Sequence, residues 1–123
     1  DNVRMAIIKA VACYYKPLIL MLQATANIDE HREQAKEYGV TLYAEAFADR
    51  CYNDDGSLVN RAKKGAVLKQ VEILKQVAQL QNSGTVTTIN GHTIALNPDT
   101  LCVHGDNEEG VASMTKIKSL LKK

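Results

Sequence analysis

Apolar residues recur at helical spacing from the start of this chain: Val3, Ile7, Ala10 and Tyr14, with Ala6 and Val11 beside them. Asp1 or Asn2 is placed to cap this helix, and Pro17 to stop it. Leu18-Ile19-Leu20-Met21-Leu22 is then an unbroken apolar run. It predicts a strand covered on both faces, as in a parallel sheet. A loop of small and polar residues, Gln23 to Asn27, leads into the acidic helix start Asn27-Ile28-Asp29-Glu30, with Gly39 at the far end. Val40 to Phe47 reads as the second strand, although Ala44 and Ala46 also suit a helix.

Ala48 to Gly65 is a long loop containing the turn signal Asn53-Asp54-Asp55-Gly56. Loops of that length in compact domains are usually functional or mobile. Val67, Val71, Leu74 and Ala78 mark a third helix, ending near Ser83-Gly84. Val86 to Ile89 and Thr93 to Leu96 flank Asn90-Gly91, which predicts a hairpin with a type I′ turn. Asn97-Pro98 breaks its second arm, and Leu101-Cys102-Val103 is the last core strand. The final helix carries Val111, Met114, Ile117 and Leu121 on one face. It begins acidic (Glu108, Glu109) and ends basic (Lys116, Lys118, Lys122, Lys123), as the helix dipole prefers. The order α-β-α-β-α-hairpin-β-α is an α/β pattern of parallel (β/α) units with one β-hairpin. It fits half of a (β/α) barrel or a small open sheet.

Composition narrows the function. The 123 residues suffice for a single domain or fragment, and 46% apolar with 24% charged is ordinary globular content. A net charge of +1 gives no case for nucleic acid or an acidic membrane surface. No run is long enough to span a membrane and no signal peptide is visible. Three cysteines without framework spacing read as reduced thiols in a cytoplasmic protein. Cys13 and Cys102 read as buried small hydrophobes, and Cys51 lies in the loop without a histidine partner in sequence. Tryptophan is absent and Phe47 is the only phenylalanine, which argues against an aromatic binding platform. The chain begins at Asp1 and enters a helix almost at once, which reads as a piece of something longer or a processed chain.

Parallel α/β folds place their chemistry at the C-terminal ends of the strands. Three such ends are legible here: Gln23 to Asn27, Glu45 with Asp49 and Arg50, and His104-Gly105-Asp106. Together they supply carboxylates, an arginine and a histidine, a set able to do acid–base work beside an anion clamp. Structural roles compete for each residue. Asp106 is placed to cap the last helix with Glu109 completing a box, and His104 to be a strand-end histidine on a backbone partner. Gly105 suits a turn conformation or a close backbone approach. Glu45 on an apolar strand needs a partner, for which Arg50 is available. Arg61 with Lys63 and Lys64 forms a small basic cluster, and His31 and His92 read as surface residues. No Cys/His metal spacing, Walker loop or G-x-G-x-x-G occurs.

Four blocks resemble the LamB/YcsF family. They are Glu45-Ala46-Phe47-Ala48-Asp49-Arg50, Tyr52-Asn53-Asp54-Asp55-Gly56-Ser57-Leu58-Val59-Asn60-Arg61, Gly65-Ala66-Val67 and Thr100-Leu101-Cys102-Val103-His104-Gly105-Asp106. The family comprises the A subunit of the bacterial ATP-dependent 5-oxoprolinase. The resemblance implies an irregular (β/α) barrel of the polysaccharide-deacetylase-like type. It further implies action with the B and C subunits to open 5-oxo-L-proline to L-glutamate, driven by ATP hydrolysis. On this basis Glu45, Asp49, His104 and Asp106 are the expected catalytic residues, and Arg50, Arg61 and Gly105 are expected to bind substrate or phosphate. Family members are longer, and their N-terminal half carries an Ala-Cys-Gly-Phe-His-Ala-Gly-Asp-type block and a Lys-Pro-His-Gly-Ala-Leu-Tyr-type block. Neither occurs here, so the chain resembles a C-terminal half that needs the missing half or another copy of itself. Two alternatives stand beside this reading: a non-catalytic half-barrel interaction module, and a small α/β protein binding phosphate at the helix start near Asn107.

Overall fold

The computed structural model describes residues 2–121. The expected cap at Asp1 and the terminal Lys122 and Lys123 lie outside the described residues. The order is α1 (Asn2–Ala12), β1 (Ile19–Gln23), α2 (Ile28–Glu37), β2 (Thr41–Phe47), α3 (Gln70–Ser83), β3 (Thr85–Thr87), β4 (Thr93–Ala95), β5 (Thr100–Cys102) and α4 (Glu108–Leu121). Strands β1, β2 and β5 form a parallel sheet with β2 in the middle, while β3 and β4 form a separate antiparallel hairpin. The α/β alternation read from the sequence is therefore present.

Strand β2 organises the main core. Leu42, Ala44 and Ala46 point to one face and are buried with Ile8 of α1, Ile28 and Ala35 of α2, and Val86 and Leu96 of the hairpin region. The two alanines let helices approach the sheet closely, and each fully buried Ile or Leu contributes about 1.5–3 kcal/mol. A second cluster, Ala48, Leu68, Ile73, Val77 and Ile117, joins α3 and α4 to the C-terminal end of the sheet.

Several helix faces are turned from the expected ones. In α1 the covered residue is Ile8, with Met5 and Val11 packed on the core, while Val3 and Ile7 are exposed. The helix also ends at Ala12, well before Pro17, and Cys13 is exposed rather than buried. In α3 the inward stripe is Ile73-Val77-Leu80 with Gln76, and Val71 is exposed. Val67, expected in this helix, instead pairs with Arg50 in an isolated bridge. In α4 the inward residues are Gly110, Ser113 and Ile117, leaving Val111, Met114 and Leu121 exposed. The 3.6-residue period holds in each case, but apolar residues flank both sides of the true stripe, so the pattern alone misplaces its centre.

Strand β1 corrects a further expectation. Its exposure alternates, with Ile19 and Met21 exposed next to Tyr43 of β2. No element covers this sheet face among the described residues. The hairpin also departs from type I′. Gly91 has φ 82° but Asn90 does not lie at positive φ. Thr88 O accepts from Gly91 N (2.9 Å), and Thr88 N donates to His92 O (2.7 Å). This is a three-residue loop closed by a left-handed glycine.

The long loop after β2 is folded back on itself. Tyr52 pairs with Leu58, Asn53 N donates to Ser57 O (2.8 Å), and Gly56 lies at φ 86°. A Cβ on Gly56 would stand 2.8 Å from Ala26 N, so this turn packs on the loop that follows β1. Gln76 of α3 donates to the carbonyls of Phe47 and Arg50, both at 2.9 Å, and fixes the strand's exit from below.

Candidate active site

Parallel register sets the geometry of the site. Phe47 pairs with Cys102, and Ala48 N donates to Cys102 O at 2.8 Å. Two residues beyond that pair on each strand stand Asp49 and His104. Their meeting follows from the ladder. His104 Nδ1 lies 2.9 Å from Asp49 Oδ1, and His104 N donates to Asp49 Oδ2 at 3.0 Å. Asn107 Nδ2 donates to the same Oδ2 at 3.2 Å. The Asp49 side chain is 1% exposed and that of His104 26%. The imidazole stacks on Phe47, with centroids 5.2 Å apart and planes 15° from parallel.

Burial pushes the Asp49 carboxyl up, but the hydrogen bonds from the His104 ring and backbone and from Asn107 outweigh it and hold the group below its ordinary range. An ionised Asp49 makes Nδ1 the protonated nitrogen of neutral His104. Nε2 is then the acceptor, available to take a proton from a reacting group. The first turn of α4 closes over the carboxylate. Asn107 Oδ1 accepts from Glu109 N (3.2 Å) and caps the helix, and a Cβ on Gly110 would stand 3.2 Å from Asp49 Oδ2. Asp49 thus fills the positive end of α4, the place expected to receive a phosphate.

The structure brings some expected residues together and separates others. Asp49 and His104 are in contact. Glu45 is half-buried on the same sheet face as Phe47, level with Gln23 and Thr100, and makes no ion pair with Arg50 among the described residues. Asp106 is exposed and pairs with Arg61 at 3.4 Å, while Asn107 caps α4 in its place. Glu109 forms no box; its carboxylate accepts from Gln70 N at 3.1 Å and joins α4 to the start of α3. Gly105 has neither positive φ nor a neighbour within 4 Å of a Cβ. Lys63 and Lys64 are exposed, as is His92, which lies 3.0 Å from Asp54. His31 is buried, contrary to expectation, because α2 turns it towards Thr25 Oγ1, 3.5 Å away. Cys102 is half-buried rather than buried. Burial raises the Cys51 and Cys102 thiols, which disfavours the thiolate a nucleophile needs.

Sequence reasoning gave Tyr52 and Gly110 no role, and named Asn107 only as a helix start that could receive a phosphate. Tyr52 is fully buried and its hydroxyl accepts from Phe47 N at 2.9 Å. Burial pushes that hydroxyl up to about 12, and it feels the charges of Arg50, Glu45 and Asp49 together. Asn107 carried a legible signal, since asparagine is among the best N-cap residues. Among the described residues no group of three or more His, Cys, Asp or Glu side chains is arranged to hold a metal ion, and no helix is long and apolar enough to cross a membrane.

The family model described as the LamB/YcsF family matches residues 1–123. The chain belongs to the LamB/YcsF family. Among similar proteins, the 5-oxoprolinase A subunit of Vibrio parahaemolyticus is 46% identical over 122 residues, covering 98% of this chain and 48% of that relative. The 5-oxoprolinase A subunit of Pseudomonas fluorescens is 42% identical over 117 residues, covering 94% and 47%. The crystal structure of a lactam utilization protein from Thermus thermophilus aligns with a TM-score of 0.74 at 26% identity, covering 96% of this chain and 47% of that one. This LamB/YcsF chain spans about half the length of the curated relatives it matches.

Proposed function

We propose that this chain supplies acid–base machinery to a hydrolase that opens 5-oxo-L-proline to L-glutamate with ATP hydrolysis. The observation that carries this reading is the Asp49–His104 pair, held at the strand ends of a fold shared with a lactam utilization protein. Relatives bearing the name of the 5-oxoprolinase A subunit support the substrate class.

A lactam is a poor electrophile. Transfer of a phosphoryl group from ATP to the amide oxygen makes its carbon attackable; water then adds, the ring C–N bond breaks as the nitrogen takes a proton, and a second water cleaves the resulting acyl phosphate to L-glutamate and inorganic phosphate. In that sequence His104 Nε2 takes a proton from water or returns one to the leaving nitrogen, and Asp49 holds the ring in place. Glu45, on the same face, is a second acid–base group, while Asp106, Arg61 and Gly105 form the rim. The B and C subunits are the proposed partners, and the cytoplasm the proposed compartment.

The exposed face of Ile19, Met21 and Tyr43 supports a further element of this reading. An apolar parallel sheet face needs cover, and the remaining length of the relatives is proposed to supply it by closing a (β/α) barrel. Without that cover the chain is proposed to be inactive.

The test is ATP-dependent glutamate release by the assembled complex containing the full-length protein. His104→Gln is expected to lower turnover by about 10²–10⁴-fold with folding retained. Unchanged turnover would remove His104 from the mechanism.

A further inference from the structure

Two contacts set the His104 imidazole. The bond between Nδ1 and Asp49 Oδ1 (2.9 Å) fixes one corner of the ring. A ring held at one corner still tilts about that bond, and tilting swings Nε2 on the far side. The Phe47 ring removes this freedom. It lies against the face of the imidazole, with centroids 5.2 Å apart and planes 15° from parallel. A flat aromatic face of this kind sets the plane of the imidazole and so the direction in which Nε2 points.

Phe47 is held in turn by a residue outside the sheet. Strand β1 ends at Gln23, and beyond it only Ala24 N donates to β2, to Glu45 O at 2.7 Å. The next main-chain donor on that side of β2 is Phe47 N, and by this point the chain after β1 has left the sheet. The Tyr52 hydroxyl takes the place of the missing strand carbonyl and accepts from Phe47 N at 2.9 Å. Tyr52 is fully buried, and its own main chain is anchored. Its carbonyl accepts from Ile89 N at 2.9 Å, and it pairs with Leu58 across the folded-back loop.

We propose that Tyr52 and Phe47 are positioning residues for His104: the buried hydroxyl fixes the Phe47 backbone, and the Phe47 ring fixes the plane of the imidazole. This rests on the acid–base role given to His104 in the lactam-opening reading. A brace that merely ties the loop to the sheet would affect turnover equally with or without the histidine.

The experiment uses the full-length protein in the assembled complex. Tyr52→Phe removes only the hydroxyl, and Phe47→Leu removes only the flat face. Each is made alone and in the His104→Gln background, with thermal melts as the folding control; if one variant fails to fold, the other decides. Each is expected to lower kcat for ATP-dependent glutamate release about 10- to 100-fold, with KM changed less than about twofold. In the His104→Gln background neither is expected to lower kcat further, because residues that act through one group are not additive. Nitrogen NMR of histidine-labelled protein reads the ring directly, with the His104 signals assigned by their loss in His104→Gln. The unaltered protein is expected to carry the Nδ1–H tautomer, and both variants to move His104 towards a mixture of the two tautomers. An unchanged kcat, an equal loss in both backgrounds, or an unmoved tautomer overturns the proposal. The NMR measurement needs no turnover, so failure of the lactam-opening reading shows separately, as glutamate release that His104→Gln leaves unchanged.

Discussion

One carboxylate, Asp49, binds both the ring and the main chain of His104, at 2.9 Å and 3.0 Å. The two residues come from different strands, so the pair also pins the end of β5 to the end of β2. Asp49→Asn keeps the size but turns one acceptor into a donor facing N–H groups. It is expected to cost about 1–3 kcal/mol of stability, because buried donors lose their partner. Turnover is expected to fall by about 10²–10⁴-fold. Urea unfolding and glutamate release measure the two effects. Wild-type behaviour in both would show that the pair is incidental.

Gly110 and Gly105 are expected to respond in opposite ways to an added methyl. A Cβ at Gly110 meets Val103 Cγ1 at 3.0 Å and Asp49 Oδ2 at 3.2 Å. Gly110→Ala gains about 1 kcal/mol of helix propensity, but overpacking costs about 1–3 kcal/mol and falls on the Asp49 carboxylate. Net destabilisation and reduced turnover are expected. Gly105→Ala meets nothing within 4 Å and is expected to change stability by less than about 0.5 kcal/mol. Thermal melts of the two variants side by side decide this; equal losses would contradict it.

The pairing of Asp49 with His104 is half legible in the sequence. Position at a strand end singles out both residues, and the alternation of strands and helices brings those ends to one edge. Their direct contact needs the β2–β5 register, which no local pattern reveals, because the intervening chain includes a helix and a hairpin. The burial of His31 and the turned faces of α1, α3 and α4 are hidden for a related reason. Each helix carries more apolar positions than one stripe requires, and tertiary packing chooses among them. Strand β1 reads as doubly covered because Ile19 and Met21 are apolar, yet its outer face is bare among the described residues.

Acid is expected to destabilise the fold in two windows. Burial lowers the His31 pKa from 6.5, with Arg4 adding to the effect. The unfolded chain therefore binds that proton first, and stability falls as pH drops below about 6.5. His31→Gln is expected to flatten this window. Asp49 is held below 3.8, and hydrogen bonds from Thr88 and Asn90 bring Asp54 to about 2. Their contributions are complete above about pH 4 and are lost as pH falls through the folded values. Urea midpoints between pH 7 and pH 2 follow both windows. A flat profile from pH 7 to pH 4 would contradict the buried His31.

Ile19 and Met21 stand on the exposed face of the same sheet whose other face buries Leu42. Burial, not hydrophobicity, sets what a substitution costs. Ile19→Thr and Met21→Thr remove apolar surface that is already in contact with solvent, and a threonine keeps the strand preference. Each is expected to change stability by less than about 0.5 kcal/mol, while Leu42→Ala opens a cavity and costs about 2–5 kcal/mol. The same threonine variants are expected to reduce binding of an apolar dye such as ANS and to lower self-association, since the bare face with its open strand edge is a template for other chains. Dye fluorescence and light scattering report this, with unfolding curves as the control. If Ile19→Thr proves as destabilising as Leu42→Ala, the outer face of β1 is packed within the chain and is not available for a closing partner.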